Sequence, residues 1–216
     1  MLRDEIQSWN DRFSADEYLF GTEPNAFLAR EAARIAQGGR VLAVADGEGR
    51  NGVWLATQGF AVHSIEGSPA AVAKAIALAN DRGVPVVTSM NDLAPGSILT
   101  QQVDILDWTW PISAYEAVVG IFIQFIGPDD RPRIFSAMAE ALVPRGVLLL
   151  EGYAPRQLEY GTGGPRSLAH LYDLNLLTAA FPTLTIDELR EYDAEVDEGA
   201  QHSGMSALID LIARAA

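Results

Sequence analysis

The stretch from Val41 to Trp54, Val-Leu-Ala-Val-Ala-Asp-Gly-Glu-Gly-Arg-Asn-Gly-Val-Trp, constrains the fold of this chain more than any other. Val41, Leu42, Val44 and Ala45 form a short apolar run of strand type. Asp46-Gly-Glu-Gly49 reads as a turn, and from Arg50 the apolar residues Val53, Trp54 and Phe60 follow a helical pattern. A strand that breaks at glycines into a helix N-terminus makes a site of nucleotide type. Glycine lets the backbone approach a ligand closely, and the free N–H groups of the first helical turn favour an anionic group.

The same alternation continues to residue 151. Strands are predicted at about 40–45, 61–66, 97–103, 115–122 and 147–151, with helices at about 49–58, from Ser68-Pro69 to Arg82, and from Asp129 or Asp130 to Leu142. Ser68 is an N-cap residue type and Pro69 falls at the first helical position. Residues 84–96 read as partly an insertion, with Val84-Pro-Val-Val87 as a strand piece and Asn91–Ser97 as loop; 104–111 read as a loop, 155–166 as a Gly/Pro loop and 167–181 as a helix. Pro144-Arg-Gly146 reads as a break. Residues 183–196 and 204–213 alternate as two long strands joined through Glu198-Gly199. At the N-terminus, Trp9, Phe13, Tyr18 and Phe20 form an aromatic arm. Thr22 is the expected N-cap of a helix with Pro24 in its first turn, running to about Ala36. This order predicts an α/β fold: a Rossmann-like, doubly wound, mostly parallel seven-stranded sheet with a C-terminal antiparallel hairpin. Ligands then belong at the C-terminal ends of the strands leading to Asp46, Glu66 and Asp104.

Composition narrows the chemistry. The 216 residues suffice for one α/β domain. Cysteine is absent, which excludes disulfides, thiolate metal ligands and a Cys nucleophile, and His63, His170 and His202 lie too far apart in sequence to suggest a metal site. A net charge of −14 opposes binding to nucleic acid and to anionic membrane surfaces. No apolar run is long enough to span a bilayer, and the charged start Met1-Leu-Arg-Asp-Glu reads against a signal peptide, so the expectation is a cytoplasmic protein.

Gly47-x-Gly49-x-x-Gly52 matches the dinucleotide fingerprint, with Glu66 near the place of an acid that accepts from a ribose. An acid at the end of the second strand serves the ribose of a methyl donor equally well, so the loop leaves both open. The rest of the chain resembles the class I S-adenosylmethionine (SAM)-dependent methyltransferases, in particular the tellurite-resistance and thiopurine-type branch. The resemblance is carried by Trp9-Asn-x-Arg12-Phe13, Tyr18-x-Phe20-Gly21-x-x-Pro24-Asn25, Asp46-Gly-Glu-Gly-Arg-Asn51 with Trp54-Leu-Ala56, and Glu66-x-Ser68-Pro69. It continues through Asp104-x-x-Asp107-Trp108, Leu142-x-Pro144-x-Gly146, Glu151-Gly-Tyr153, Gln157-x-x-Tyr-Gly-Thr-Gly-Gly-Pro165 and Glu198-Gly199-x-x-His202-x-Gly204.

The resemblance implies one methyltransferase domain: an N-terminal helical cap (1–38), a SAM-binding core (39–153), and an acceptor-side helix with the terminal hairpin (154–216). It also implies roles. Gly47, Gly49 and Gly67 give the donor close backbone approach. Asp46 or Glu48 meets its ammonium group, Asn51 belongs to the same turn, and Glu66 binds the ribose diol. Asp104, Asp107 and Trp108 flank the adenine, and Phe122 and Gln124 follow the strand that faces the methyl group. Trp9, Tyr18 and Phe27 close over the donor. His202 and Tyr160 are the acceptor-side candidates for catalysis, with Arg156 and Arg166 available to an anionic acceptor. The product would be S-adenosylhomocysteine (SAH), the acceptor a small molecule such as a thiol or an oxyanion of tellurium or selenium, and the protein a monomer or homodimer. The chain departs from the family pattern at Ala43 and Ala45, where an acid and a glycine are usual, at Asp46, where Cys or Ala is frequent, in Leu142-Val-Pro-Arg-Gly146, and at Gln124, where His is frequent. Those departures keep a non-catalytic SAM- or SAH-binding protein as one alternative, and the glycine spacing keeps a nicotinamide-dependent oxidoreductase as another.

Overall fold

The computed structural model describes residues 3–199 and 202–216; Met1-Leu2 of the charged start and the two positions between Gly199 and His202 in the terminal motif, 200–201, lie outside them. The chain divides into two compact units after Thr109.

The first unit comprises α1 (Asp4–Phe13), α2 (Ala26–Glu31) with a 3-10 turn at Ala32–Arg34, β1 (Arg40–Val44), α3 (Arg50–Thr57), β2 (Ala61–Glu66), α4 (Pro69–Asp81), β3 (Val86–Val87) and β4 (Ile98–Gln102). Its strands are parallel in the order β3-β4-β2-β1. Every residue of β2 is buried, including the polar His63, Ser64 and Glu66, and β1 reads as a near-continuous apolar run because Val41 to Val44 are buried. Ser68 caps α4 as expected, its hydroxyl accepting from Ala71 N–H at 3.1 Å. The cap of α2 differs from expectation. Asn25, not Thr22, accepts from Leu28 N–H at 2.9 Å, and Pro24 stands outside the helix. The reason is tertiary, because Asn25 N–H donates to Asn51 Oδ1 at 2.9 Å and fixes where α2 begins.

The second unit comprises β5 (Tyr115–Ile121), α5 (Arg131–Glu140), β6 (Leu142–Tyr153), α6 (Gln157–Tyr160), a 3-10 turn at Leu168–His170, α7 (Leu174–Ala180), β7 (Leu184–Asp197) and β8 (Ser203–Ala215). Its strand order is β5-β6-β8-β7, with β5 and β6 parallel and the other two pairings antiparallel. The expected break at Pro144 is a bulge instead. The partner of Tyr115 is Leu142 but that of Ala117 is Val147, and Arg145 takes φ +66°.

The architecture is the expected Rossmann-like, mostly parallel α/β class with a terminal antiparallel hairpin, built from eight strands rather than seven. The additional strand is β3, two residues inside the segment read as an insertion, paired only to β4. Among the described residues no helix is long and apolar enough to cross a membrane.

Candidate active site

The turn after β1 is built from alternating left-handed residues: Ala45 at φ +50°, Gly47 at +59° and Gly49 at +86°. A side chain costs energy in that region, so Ala45 is held there by its surroundings. Gly49 is required twice over. It takes a left-handed φ, and a Cβ on it would stand 2.6 Å from the Ala75 Cβ of α4. Asp46 lies between the first two left-handed residues. It is half-buried as a residue, but its carboxyl group is enclosed. Oδ1 accepts from Gly52 N–H at 3.1 Å and Oδ2 from the Ser64 hydroxyl at 2.9 Å. Burial pushes this carboxyl up to about 7, and the nearby Glu66 raises it further, against the opposing pull of Ser64, Gly52 and Arg50.

Glu66 ends β2 beside that turn. It is buried, with Oε2 accepting from Gly47 N–H at 3.0 Å and Oε1 from Ser68 N–H at 2.8 Å. Burial raises its pKa, while the N–H groups of Ser68, Gly47 and Gly67 favour its charged form. A carboxylate accepts about four hydrogen bonds, so Glu66 retains acceptor capacity for a diol.

Helix α1 lies over these groups. Arg3 forms a two-pronged ion pair with Asp104, Nη2 standing 2.8 Å from Oδ1. Ile6 packs at Gly67, where a Cβ would meet it at 3.1 Å. Asn10 Oδ1 accepts from the Ser68 hydroxyl at 2.9 Å and from Ala70 N–H at 3.0 Å. The Phe13 ring stands beside Gly47 and stacks on Trp9 at 5.5 Å between centroids. Trp9 and Phe13 of the aromatic arm therefore lie on a helix tied by polar contacts to the strand ends where the ligand was expected, while Tyr18 and Phe20 follow it outside helical structure.

Other predicted residues of this unit are engaged within the chain. Glu48 is buried and accepts from Lys74 Nζ at 2.7 Å and from Leu19 N–H at 2.8 Å. Asn51 holds Asn25. The Tyr18 hydroxyl donates to the Lys74 carbonyl at 3.1 Å, and burial, with Asp81 and Glu48 nearby, raises its pKa. Phe27 is buried core. Asp107 is exposed, and Trp108 meets the buried His63 ring edge-on at 5.7 Å. Burial lowers the pKa of His63. Sequence reasoning missed Arg3, Asn10, Ser64 and Lys74. Asn10 sits inside the quoted Trp9-Asn-x-Arg12 motif, but nothing local marks the other three.

In the second unit, Phe122 follows β5 with φ +54°, a strained value for an aromatic residue. Its ring stacks on Tyr153 at 4.7 Å and meets His202 edge-on at 4.6 Å. His202 is buried, its ring also edge-on to Tyr153 at 5.7 Å. The glycine-rich loop closes on the same group, since a Cβ on Gly164 would stand 2.5 Å from the Tyr153 ring. Thr162 Oγ1 donates to the Met205 carbonyl at 2.6 Å. Thus Phe122, Tyr153 and His202 come together, with loop 161–164 against them. Tyr160 is set differently. Its hydroxyl accepts from Arg156 Nη2 at 2.6 Å, and Arg156 is also ion-paired with Asp193. Gln124 acts on the backbone of β6: Nε2 donates to the Tyr153 carbonyl at 2.8 Å and Oε1 accepts from Tyr153 N–H at 2.7 Å. Arg166 is exposed.

Comparison with known proteins places the chain in a family. The thiopurine S-methyltransferase family matches residues 4–214. No curated protein matches the chain in sequence. Among solved structures, the fold is similar to that of a protein from work on the conversion of a disulfide bond into a thioacetal group during echinomycin biosynthesis (19% identity, TM-score 0.75, covering 98% of this chain and 92% of that one). It is also similar to TehB from Haemophilus influenzae (16%, TM-score 0.67, 98% and 67%). A third similar structure is the N-methyltransferase NodS from Bradyrhizobium japonicum WM9 in complex with SAH (13%, TM-score 0.68, 99% and 99%). The chain belongs to the thiopurine S-methyltransferase family and is a SAM-dependent methyltransferase.

Proposed function

We propose that this enzyme transfers the methyl group of SAM to a soft small-molecule nucleophile, such as a thiolate or an oxyanion of tellurium or selenium. The observation that carries the donor half is Glu66. Its carboxylate is fixed by the backbone N–H groups of Gly47, Gly67 and Ser68 beside a left-handed glycine turn, and its remaining acceptor capacity can take a ribose hydroxyl. These residues fit the group: a buried acid able to accept from a ribose hydroxyl and a left-handed glycine turn beside it, while Asp104, expected to take an amine, is paired with Arg3. Asp46, Glu48, Asn51, Gly67, Asp107, Trp108 and Tyr18 shape the same unit, several of them through bonds within the chain. SAM supplies an activated sulfonium methyl, so transfer is an in-line displacement. The protein's task is then to hold the nucleophile in line and exclude water. A thiolate or oxyanion needs no strong base, and a neutral acceptor requires one, a role proposed for His202 with Tyr160 as a second acceptor-side group. Phe122 and Tyr153 supply aromatic walls around His202. The family membership and the net charge of −14 favour a small acceptor over nucleic acid.

A thermal-shift titration with SAH, SAM and NAD tests the donor. At about 100 times Kd a ligand adds roughly 2.7 kcal/mol, a rise of several degrees for a chain of this size. A rise with the adenosyl-sulfur compounds alone is expected, and a rise with NAD alone would overturn the reading. Turnover of a panel of thiols and metalloid oxyanions with radiolabelled SAM then identifies the acceptor. Unchanged turnover of that acceptor in His202→Ala would remove His202 from the chemistry.

A further inference from the structure

We propose that Asp46 is the positioning residue of the donor turn, its carboxylate joining the first turns of α3 to β2 and so presetting the backbone that SAM meets. The proposal rests on the donor reading above. Residue 46 makes four contacts at the crossing of the turn. Its N–H donates to the Ile65 carbonyl at 3.2 Å, its carbonyl accepts from Gly49 N–H at 3.2 Å, and its carboxylate takes Gly52 N–H and the Ser64 hydroxyl. These bonds bracket all three left-handed residues, including Ala45, which lacks glycine's freedom.

Three features show that the carboxylate is built in rather than incidental. A Cβ on Gly52 would lie 2.3 Å from Asp46 Oδ2, so α3 approaches the acid only because residue 52 has no side chain. Ser64 is the cross-strand partner of Ala43, the position where a family acid is usual, so the two share a sheet face. The acid that this chain lacks on β1 is thus delivered to the same face from the turn, three residues on. Finally, burial disfavours the charge of this enclosed carboxyl, so its bonds to Gly52 and Ser64 are kept against a cost that an apolar residue here would not carry.

The test is the SAH dissociation constant, by calorimetry, with the melting temperature at pH 8 measured in parallel. Asp46→Ala should weaken SAH at least tenfold with no fall in melting temperature, a split that a merely structural residue would not show. Gly52→Ala should weaken SAH in the wild-type background, yet by less than twofold when added to Asp46→Ala, since its effect passes through the carboxylate. Asp46→Asn keeps both hydrogen-bonding positions once the Ser64 hydroxyl turns round, and should bind within threefold of wild type. Ala43→Asp with Asp46→Ala should recover most of the lost affinity. Binding by Asp46→Ala within twofold of wild type would overturn the proposal, as would an equal loss in the Asn and Ala variants. If Asp46→Ala does not fold, the Gly52→Ala, Ser64→Ala and Asp46→Asn constants decide: unchanged affinity in Gly52→Ala and Ser64→Ala overturns it. Failure of the wild-type protein itself to bind SAH would instead remove the donor reading.

Discussion

Replacing Asp46 by Asn should make the protein more stable, and more so as the pH rises. The folded carboxyl stands at about 7 against 3.8 for the free group, chiefly through burial. The sign follows from proton binding. Between these values the folded chain holds a proton that the unfolded chain has lost, so stability declines with pH across that window and levels off above 7. The full shift corresponds to somewhat over about 4 kcal/mol at pH 8 and to between about 1 and 2 kcal/mol at pH 5, from roughly 1.4 kcal/mol per unit. Asn escapes this cost and keeps the acceptor for Gly52 N–H. Its advantage over wild type should therefore grow by about 3 kcal/mol between pH 5 and pH 8, on the order of 6–12 °C in melting temperature. Melting both proteins by calorimetry or circular dichroism at unit intervals isolates Asp46 and the groups coupled to it, because titrations independent of Asp46 cancel in the difference. The groups that face it are Glu66, which holds its pKa up, and Arg50, which draws it down. A difference that stays constant from pH 5 to pH 8 would refute the reasoning, since it would mean that Asp46 is ionised throughout.

Three further outcomes are expected. Ala45→Gly relieves a left-handed φ of +50° and should stabilise the protein by about 1 kcal/mol, read from denaturant midpoints; a loss of stability would show that Ala45 is not strained. Arg3→Ala removes a partly exposed ion pair and should change stability by less than about 1 kcal/mol. It should nevertheless speed amide hydrogen exchange over residues 4–13, and unchanged protection there would mean that Ile6, Asn10 and Phe13 hold α1 alone. Gln124→Ala leaves the buried N–H and carbonyl of Tyr153 without their side-chain partner and should cost about 2–3 kcal/mol by urea unfolding.

The elements whose information is local were legible without coordinates. Ser68-Pro69 predicts the start of α4 because an N-cap hydroxyl and a proline with fixed φ act within one turn of chain. The apolar run at 41–44 and the apolar Val62 and Ile65 predict strands β1 and β2, and Asp46-Gly-Glu-Gly predicts the turn between β1 and α3. What depended on distant partners was not legible. Asn25 caps α2 because Asn51 holds its backbone, twenty-six residues away. Pro144 ends up within β6 because a bulge absorbs it. Gln124 serves the β6 backbone instead of an open edge. Arg3 and Asn10 reach strand and helix ends some sixty to a hundred residues on. The sequence alone determined the fold class and the position of the glycine turn after β1, since propensity, capping and apolar period are properties of neighbouring residues. Only the tertiary structure decided which carboxylates are already committed within the chain. Asp46 is turned inward, Glu48 meets Lys74 and Asp104 meets Arg3, because a charge is satisfied by whichever partner folding brings within hydrogen-bonding reach.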